Sequence, residues 1–270
     1  MDLFQDLLRA LFGALVGVNA AQLLTLGVLG VAGGVLSGVV GVGGGIVFVP
    51  ALVYVAGWGI KEAVAASLVI IIFASLTGTL RNRKSADPVD WRTAFILAST
   101  VAPASLIGVY VSRISTPTFV QFAFAVILFA LAYPTGRGRP NFDENSKKIP
   151  VPLVLLCGVF IGALSGLVGV GGGVVMVPLM VLGLGLTTKR AVSTSLAVVM
   201  FTGIVASTGY IATGFDEILP LAPLVVGSIV GAVLGVRLRD RVPERELKIG
   251  FAVFMVITAF RTLGNATGVL

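Results

Sequence analysis

The chain is a succession of long apolar runs separated by short polar loops. The first run, 22–57, would extend roughly 54 Å as one straight helix, whereas the hydrocarbon core of a bilayer is about 30 Å thick. The glycine-rich stretch 41–45 divides it into 22–40 and 46–57, because glycine is less favourable than alanine in a helix by about 1 kcal/mol. Further apolar runs follow at 62–80, 93–112 and 118–133. The pattern predicts an all-α integral membrane protein.

The second half of the chain repeats the first. Residues 36–50 read LSGVVGVGGGIVFVP and residues 164–178 read LSGLVGVGGGVVMVP, with 12 of 15 positions identical at an offset of 128. The run 151–186 is again broken by glycines, and later runs lie at 191–213, 218–236 and 247–264. Matches continue beyond the glycines at the same offset, for example Lys61 with Lys189 and Ser67 with Ser195. The whole half is therefore duplicated.

Polar segments divide the chain into four predicted regions. Residues 1–20 place Phe4, Leu7, Leu8 and Leu11 at helical spacing opposite acidic and polar positions, which is typical of an amphipathic interfacial helix. Residues 21–134 form the first membrane repeat and residues 150–270 the second. The linker 135–149 between them is the only long hydrophilic stretch.

The distribution of Lys and Arg decides between two topologies. If each glycine-broken run crosses the membrane once, the cationic residues divide 10 to 9 between the two sides. If each is a hairpin that returns to its starting side, they divide 15 to 4, with only Arg9, Lys61, Arg113 and Arg261 on the minority side. The positive-inside rule favours the hairpins. We therefore expect a multi-pass protein of the cell (inner) membrane, with a cytoplasmic linker 135–149 and both termini external.

The hairpin count also predicts the relation between the halves. Each half then holds a glycine-broken helical hairpin plus three transmembrane helices, an odd number of segments, so the halves have opposite orientations. Two inverted-topology repeats with broken helices are typical of secondary transporters, whose binding sites form where the breaks meet.

Composition removes several classes of function. The chain is 57% hydrophobic and 11% charged, whereas soluble domains are about one quarter charged. It has no histidine and one cysteine, Cys157, which excludes Ser-His catalysis and histidine metal sites. The net charge of +7 resides in loops between apolar runs, where it sets orientation rather than binding nucleic acid. We expect no enzyme activity, cofactor or metal, and the bilayer as the surrounding partner.

The glycine loops are the predicted substrate site. Where each helix resumes, free backbone N–H groups and the positive end of the helix dipole can hold an anion without a charged side chain. A proline within the first turn or so of a resumed helix costs little helix stability, because the N–H that it lacks would be unpaired there anyway. Pro50 and Pro178 are the structural residues of this prediction. The alternative is close packing, since these loops and Gly227, Gly231 and Gly235 also fit the G-x-x-x-G pattern. The predicted site glycines are Gly41, Gly43, Gly44, Gly45, Gly169, Gly171, Gly172 and Gly173.

Four serines and two lysines complete the candidate site. Ser67 and Ser195 could each place a hydroxyl against the anion, or could form an interhelical hydrogen bond; Ser37 and Ser165 have the same two alternatives. Lys61 and Lys189 could attract anions at the two mouths or simply extend to the membrane surface.

The two glycine motifs, with the Lys-x-Ala-Val-x-x-Ser stretches that follow, are similar to those of the TauE/SafE sulfite exporter family of membrane permeases. The similarity covers residues 25–264. It implies a transporter, an exporter of small sulfur-containing anions such as sulfite or organosulfonates. Alternatives are an anion channel, an exporter or importer of another small organic anion, and a membrane enzyme or scaffold. Alternating access is the mechanism that the repeats favour.

Overall fold

The computed structural model describes residues 20–83, 85, 87–137, 150–215, 219–239 and 244–267. Within these ranges the chain is helical and contains no strand. The first half forms α1 (Ala20–Val40), α2 (Gly45–Tyr54), α3 (Ile60–Asn82), α4 (Trp91–Ile114) and α5 (Pro117–Arg137). The second half forms α6 (Val151–Val168), α7 (Gly173–Leu184), α8 (Thr188–Ala212), a short 3-10 helix (Leu219–Leu221), α9 (Ala222–Leu238) and α10 (Glu244–Thr267).

Each apolar run found in the sequence forms a helix. Among the described residues, α1, α3, α4 and α8 are long and apolar enough to cross a membrane, and α2, most of α5, α6 and α9 are shorter apolar helices. The prediction of an all-helical membrane protein is thereby confirmed. The predicted interfacial helix over 1–20 lies outside the described residues except for Ala20, and so does the linker beyond Arg137.

The two prolines lie deeper in their helices than the sequence predicted. Pro50 is inside α2, which begins at Gly45, and Pro178 is inside α7, which begins at Gly173. Within the first turn, a missing N–H leaves no acceptor unpaired. Both prolines lie beyond that turn. The reason is that the helices resume at the last glycine of each loop, which leaves the carbonyls of Ile46 and Val174 without their usual intrahelical donors.

The two halves pack together reciprocally, since a helix of each half pairs with a helix of the other. The most extensive contacts join α1 to α9 and α6 to α4, and these two pairs are equivalent under the sequence repeat. The equivalent helices α3 and α8 pack on each other, as do α5 and α10. Neither half is a separate bundle, because each first helix packs most closely on a helix of the opposite half.

Small residues allow the α1–α9 and α4–α6 pairs to approach at backbone contact. A methyl group added at Gly34 would lie 2.8 Å from the amide nitrogen of Ala232 and 2.9 Å from the Cα of Gly231. A methyl group at Gly108 would overlap the backbone of α6 in the same way. The packing interpretation of the glycines in α9 is confirmed.

Hydrogen bonds define one end of the bundle, which we call the Lys61 end. Lys61 Nζ, at the start of α3, donates to the carbonyls of Arg113 (3.2 Å) and Ser115 (2.5 Å) at the end of α4. The Tyr54 hydroxyl at the end of α2 lies 2.7 Å from Thr262 Oγ1 in the last turns of α10. Helix α2, the second helix of the first hairpin, therefore ends here.

Another set of hydrogen bonds defines the opposite end, the Arg239 end. The amide of Asp90, in the loop after α3, donates to Thr194 Oγ1 near the start of α8 (3.0 Å). Arg239, following α9, donates from Nη1 to Ser193 Oγ (3.1 Å). The start of α4 thus lies beside the start of α8, and so does the end of α3, where a methyl group at Gly78 would lie 2.8 Å from Leu196 Cδ1.

Candidate functional site

The breaks in both hairpins are set by backbone angles that favour glycine. Gly41, Gly43 and Gly44 have φ of 78°, 83° and 82°, and the corresponding glycines of the second loop have φ of 73°, 80° and 71°. L-residues with a side chain rarely adopt this left-handed region. Helices α1 and α6 therefore end where the first of these glycines occurs, and α2 and α7 begin just after the last.

The two loops cross in direct backbone contact. A methyl group at Gly45, the first residue of α2, would overlap the carbonyl oxygen of Gly169 in the other loop. A methyl group at Gly173, the first residue of α7, would overlap the carbonyl oxygen of Gly41. Each resumed helix therefore starts against a carbonyl of the opposite loop, and only glycine permits this approach.

Ser67 and Ser195 hold the crossing together. Ser67 Oγ donates to the carbonyl of Gly169, and Ser195 Oγ donates to the carbonyl of Gly41, both at 2.8 Å. Each hydroxyl also lies near the carbonyl three residues earlier in its own helix, at 2.8 Å and 3.0 Å. A hydroxyl has one proton to donate, so these acceptors share it. Of the two alternatives for these serines, the interhelical bond is present; a direct contact with an anion stays a prediction.

Ser37 and Ser165 differ from Ser67 and Ser195, which clamp the two loops together, because the hydroxyls of Ser37 and Ser165 have no hydrogen-bond partner among the described residues. Both side chains are buried, at 0% and 1% exposure. Their carbonyls accept from the amides of Gly41 and Gly169 at 2.9 Å and 2.8 Å, which places each serine one turn before its loop. Buried polar groups normally have partners, and a contact of these two hydroxyls with a ligand stays a prediction.

The second loop borders a small apolar cleft. The cleft has a volume of about 20 Å³ and is lined by Ser165, Val170 and Gly172 among others, which is room for roughly one water molecule. In the first half, the ring of Phe48 lies against Gly33 and Gly44, whereas at the equivalent Gly172 the neighbouring side chain is Ile161. At offset 128, Gly33 and Phe48 correspond to Ile161 and Met176.

Two apolar side chains missed by the sequence analysis pack against both loops. A methyl group at Gly43 would lie 2.6 Å from Val199 Cγ1 and 3.1 Å from Ile71 Cγ2. A methyl group at Gly171 would meet the same pair, at 2.9 Å from Val199 Cγ1. Ile71 and Val199 are equivalent at offset 128. Nothing in the sequence distinguishes them from other apolar residues of α3 and α8.

The electrostatics of the loops come from the backbone. Val47 and Phe48 donate to the carbonyl of Gly44, so the amides of Gly45 and Ile46 precede the first intrahelical acceptor of α2 and have no such partner. The same holds at the start of α7. Each helix end carries about half a positive charge, and the loops 41–45 and 169–173 contain no charged side chain.

The two predicted gating lysines lie at the ends of the bundle rather than beside the loops. Lys61 caps the last carbonyls of α4 through the bonds described above, an arrangement that the helix dipole favours. Lys189 is exposed near the start of α8. A role of either in attracting anions stays a prediction.

Long apolar helices and a pair of crossed, glycine-broken hairpins define a polytopic helical membrane protein. The family model for the sulfite exporter TauE/SafE matches residues 26–262, and the chain belongs to this family.

Relatives of the chain are membrane transporters by name. It is 27% identical to the probable membrane transporter protein YunE of Bacillus subtilis over 259 residues, which cover 85% of this chain and 93% of the relative. It is 26% identical to a probable membrane transporter protein of Methanocaldococcus jannaschii over 235 residues, 80% of this chain and 86% of the relative. No solved structure matches the chain. The protein is a membrane transporter.

Proposed function

We propose that the protein is a secondary transporter that exports small sulfur-containing anions, such as sulfite or organosulfonates, by alternating access. The observation that carries the proposal is the reciprocal crossing of the two loops, which brings two helix N-termini to one place. The family's description as a sulfite exporter supports this substrate class. An oxyanion offers several acceptor oxygens, which suit backbone amides and serine hydroxyls better than a single-atom ligand does.

The two halves form inverted repeats in this proposal. Helix α2 returns from the first loop to the Lys61 end, where Tyr54 meets Thr262. Helix α7 precedes α8, whose start lies at the Arg239 end beside Asp90. The hairpins therefore enter from opposite ends and meet at the loops. The reciprocal helix pairing supports the same architecture.

The anion binds between the starts of α2 and α7 after the loops separate. In the described conformation, the carbonyls of Gly169 and Gly41 lie against Gly45 and Gly173, which is where the anion would be. Two helix ends of about half a charge each can offset one negative charge. The unpartnered hydroxyls of Ser37 and Ser165 then donate to the anion, while the hydroxyls of Ser67 and Ser195 position the loop carbonyls.

A first prediction concerns the ligand. Sulfite or a small sulfonate is expected to raise the melting temperature of the purified protein, because a ligand that binds only the folded state stabilises it. Ser37→Ala and Ser165→Ala are each expected to weaken binding roughly tenfold or more, since each removes a hydrogen bond to a charged group. Thermal-shift screening followed by calorimetric titration measures both effects.

The control for this prediction is Ser99→Ala, because Ser99 is exposed on α4 and bonds only to its own helix. Unchanged affinity in both test variants would move the anion away from the loops. Flux measurements in proteoliposomes then distinguish mechanisms: counterflow and saturation are expected, whereas a channel would conduct without counterflow.

A second prediction concerns orientation. With Cys157 replaced by serine, a cysteine introduced at position 145 in the linker is expected to resist a membrane-impermeant thiol reagent in intact cells, because the positive-inside rule makes this linker cytoplasmic. A matched Thr118→Cys variant at the Lys61 end, where Thr118 is exposed, is expected to react. The reverse pattern would invert the topology, and reaction at both positions would mean that α5 (Pro117–Arg137) does not cross the membrane.

A further inference from the structure

Three buried polar side chains along one face of α3 have no hydrogen-bond partner in the described part of the chain. Ser75, Thr79 and Asn82 are spaced by four and three residues, which places them above one another on a helix. Their exposures are 0%, 1% and 0%. Ser75 Oγ, Thr79 Oγ1 and both polar atoms of the Asn82 amide have no hydrogen-bond partner among the described residues. We call these three residues the polar row.

The polar row connects the crossed loops to the Arg239 end. At its inner limit, a methyl group on Gly43 would lie 3.6 Å from Ser75 Oγ, so the row begins beside the first loop. At its outer limit, Asn82 is the last residue of α3 and its carbonyl accepts from the amide and hydroxyl of Ser85. Unpaired polar groups in an apolar interior are unfavourable, and several in series along one helix face call for a polar occupant.

On the equivalent face of α8, the polar side chains have hydrogen-bond partners. At offset 128 the polar row corresponds to Gly203, Ser207 and Tyr210. Ser207 Oγ donates to the carbonyl of Ile204 at 3.1 Å, and the Tyr210 hydroxyl donates to the carbonyl of Gly166 at 2.9 Å.

The difference between the two faces follows from side-chain length. Gly38 is the residue equivalent to Gly166, but Asn82 is shorter than tyrosine by most of an aromatic ring. Its amide has no partner among the described residues, whereas the tyrosine ring spans from α8 to α6 and its hydroxyl is bonded. Within the described ranges, therefore, the polar groups on this face of α8 are hydrogen-bonded and those on the equivalent face of α3 are not.

We propose that the polar row is one wall of the path along which the anion and its water move between the crossed loops and the Arg239 end, and that Tyr210 on Gly166 seals the path to the opposite end. The inference rests on the proposed transport function and adds its route. The two hydroxyls and the amide N–H₂ group supply donors for an oxyanion, and the same groups bond water when no anion passes. When the protein opens at the Arg239 end, the anion or water supplies hydrogen-bond partners to the polar row, while the hydrogen bond from Tyr210 to Gly166 stays intact.

Cysteine accessibility tests the route without knowledge of the cargo. In a Cys157→Ser background, Thr79→Cys and Ser207→Cys are compared at equivalent positions, with 2-sulfonatoethyl methanethiosulfonate as an anionic, water-soluble probe. Thr79→Cys is expected to react at least about tenfold faster than Ser207→Cys when the probe reaches the Arg239 end, because thiol modification requires access from water. The Asn145→Cys and Thr118→Cys reporters identify which face the probe reaches. Equal reaction of the two test cysteines, or reaction of Thr79→Cys only from the Thr118 face, overturns the proposal.

Removal of the seal gives a second readout. Tyr210→Phe retains the ring and loses the hydrogen bond to Gly166, so Ser207→Cys in this background is expected to react severalfold faster. Tyr110→Phe is the control, because Tyr110 is 62% exposed on the outer face of α4. No change in the reactivity of Ser207→Cys overturns the role of Tyr210 as the seal.

A conservative replacement in the row separates a path from passive packing. Thr79→Val keeps the volume and removes an unpartnered hydroxyl, so its melting temperature is expected to be unchanged or higher, while anion flux falls roughly tenfold. A stable variant with unchanged flux overturns the proposal. If no tested anion is transported but the labelling asymmetry is observed, the route stands and the substrate assignment fails.

Discussion

Gly45→Ala and Gly173→Ala are each expected to destabilise the protein by about 3 kcal/mol or more. The added methyl group overlaps a backbone carbonyl oxygen of the opposite loop, that of Gly169 or Gly41. A flexible side chain could move aside, but this carbonyl is held by a serine hydroxyl and cannot shift without loss of that bond. Neither Gly45 nor Gly173 has a positive φ, so backbone strain of that kind does not contribute to the effect.

The measurement is the melting temperature of detergent-purified variants, which is expected to fall by roughly 6 °C or more. Gly27→Ala is the matched control, because Gly27 lies within α1 and an added methyl group meets nothing within 4 Å. Gly57→Ala isolates backbone strain, since Gly57 has φ of 75° and is also open. If Gly45→Ala is as stable as Gly27→Ala, the loops do not cross in contact.

Ser67→Ala and Ser195→Ala are expected to destabilise the protein by about 1–3 kcal/mol each, because each leaves a buried loop carbonyl without its interhelical donor. The bonded carbonyls belong to Gly169 and Gly41, which press against the starts of α2 and α7. The two bonds secure a single crossing, so the double variant is expected to deviate from additivity. A double-mutant cycle of melting temperatures or of denaturant midpoints measures this coupling.

Ser228→Ala provides the control for the serine clamps. Ser228 is equally buried, and its hydroxyl bonds only to the carbonyl of Val225 in its own helix at 2.8 Å. Its replacement removes the same chemical group without removing a hydrogen bond between the halves. An effect of Ser67→Ala no larger than that of Ser228→Ala would contradict the clamp, and strict additivity of the pair would contradict the coupling of the loops.

The sequence by itself determined the helical segments and the places where they break. The run predicted over 62–80 is observed as α3 (Ile60–Asn82), and the run over 93–112 as α4 (Trp91–Ile114). These features depend on local properties, namely the length of an apolar run and the low helix propensity of glycine. The duplication also identified equivalent residues in advance, and both serine clamps and both unpartnered serines occur in such equivalent pairs.

The tertiary structure decided what those residues contact. A serine in an apolar helix can donate to an anion or to a carbonyl of another segment, and the sequence around Ser67 is the same in both cases. Its partner Gly169 is 102 residues away, and only the crossing of the two hairpins brings them together. Likewise, the position of Phe48 beside Gly33 and the reach of Tyr210 to Gly166 follow from how the helices pack. Local patterns fix which segments are helical, whereas contacts between distant segments depend on the relative placement of whole helices.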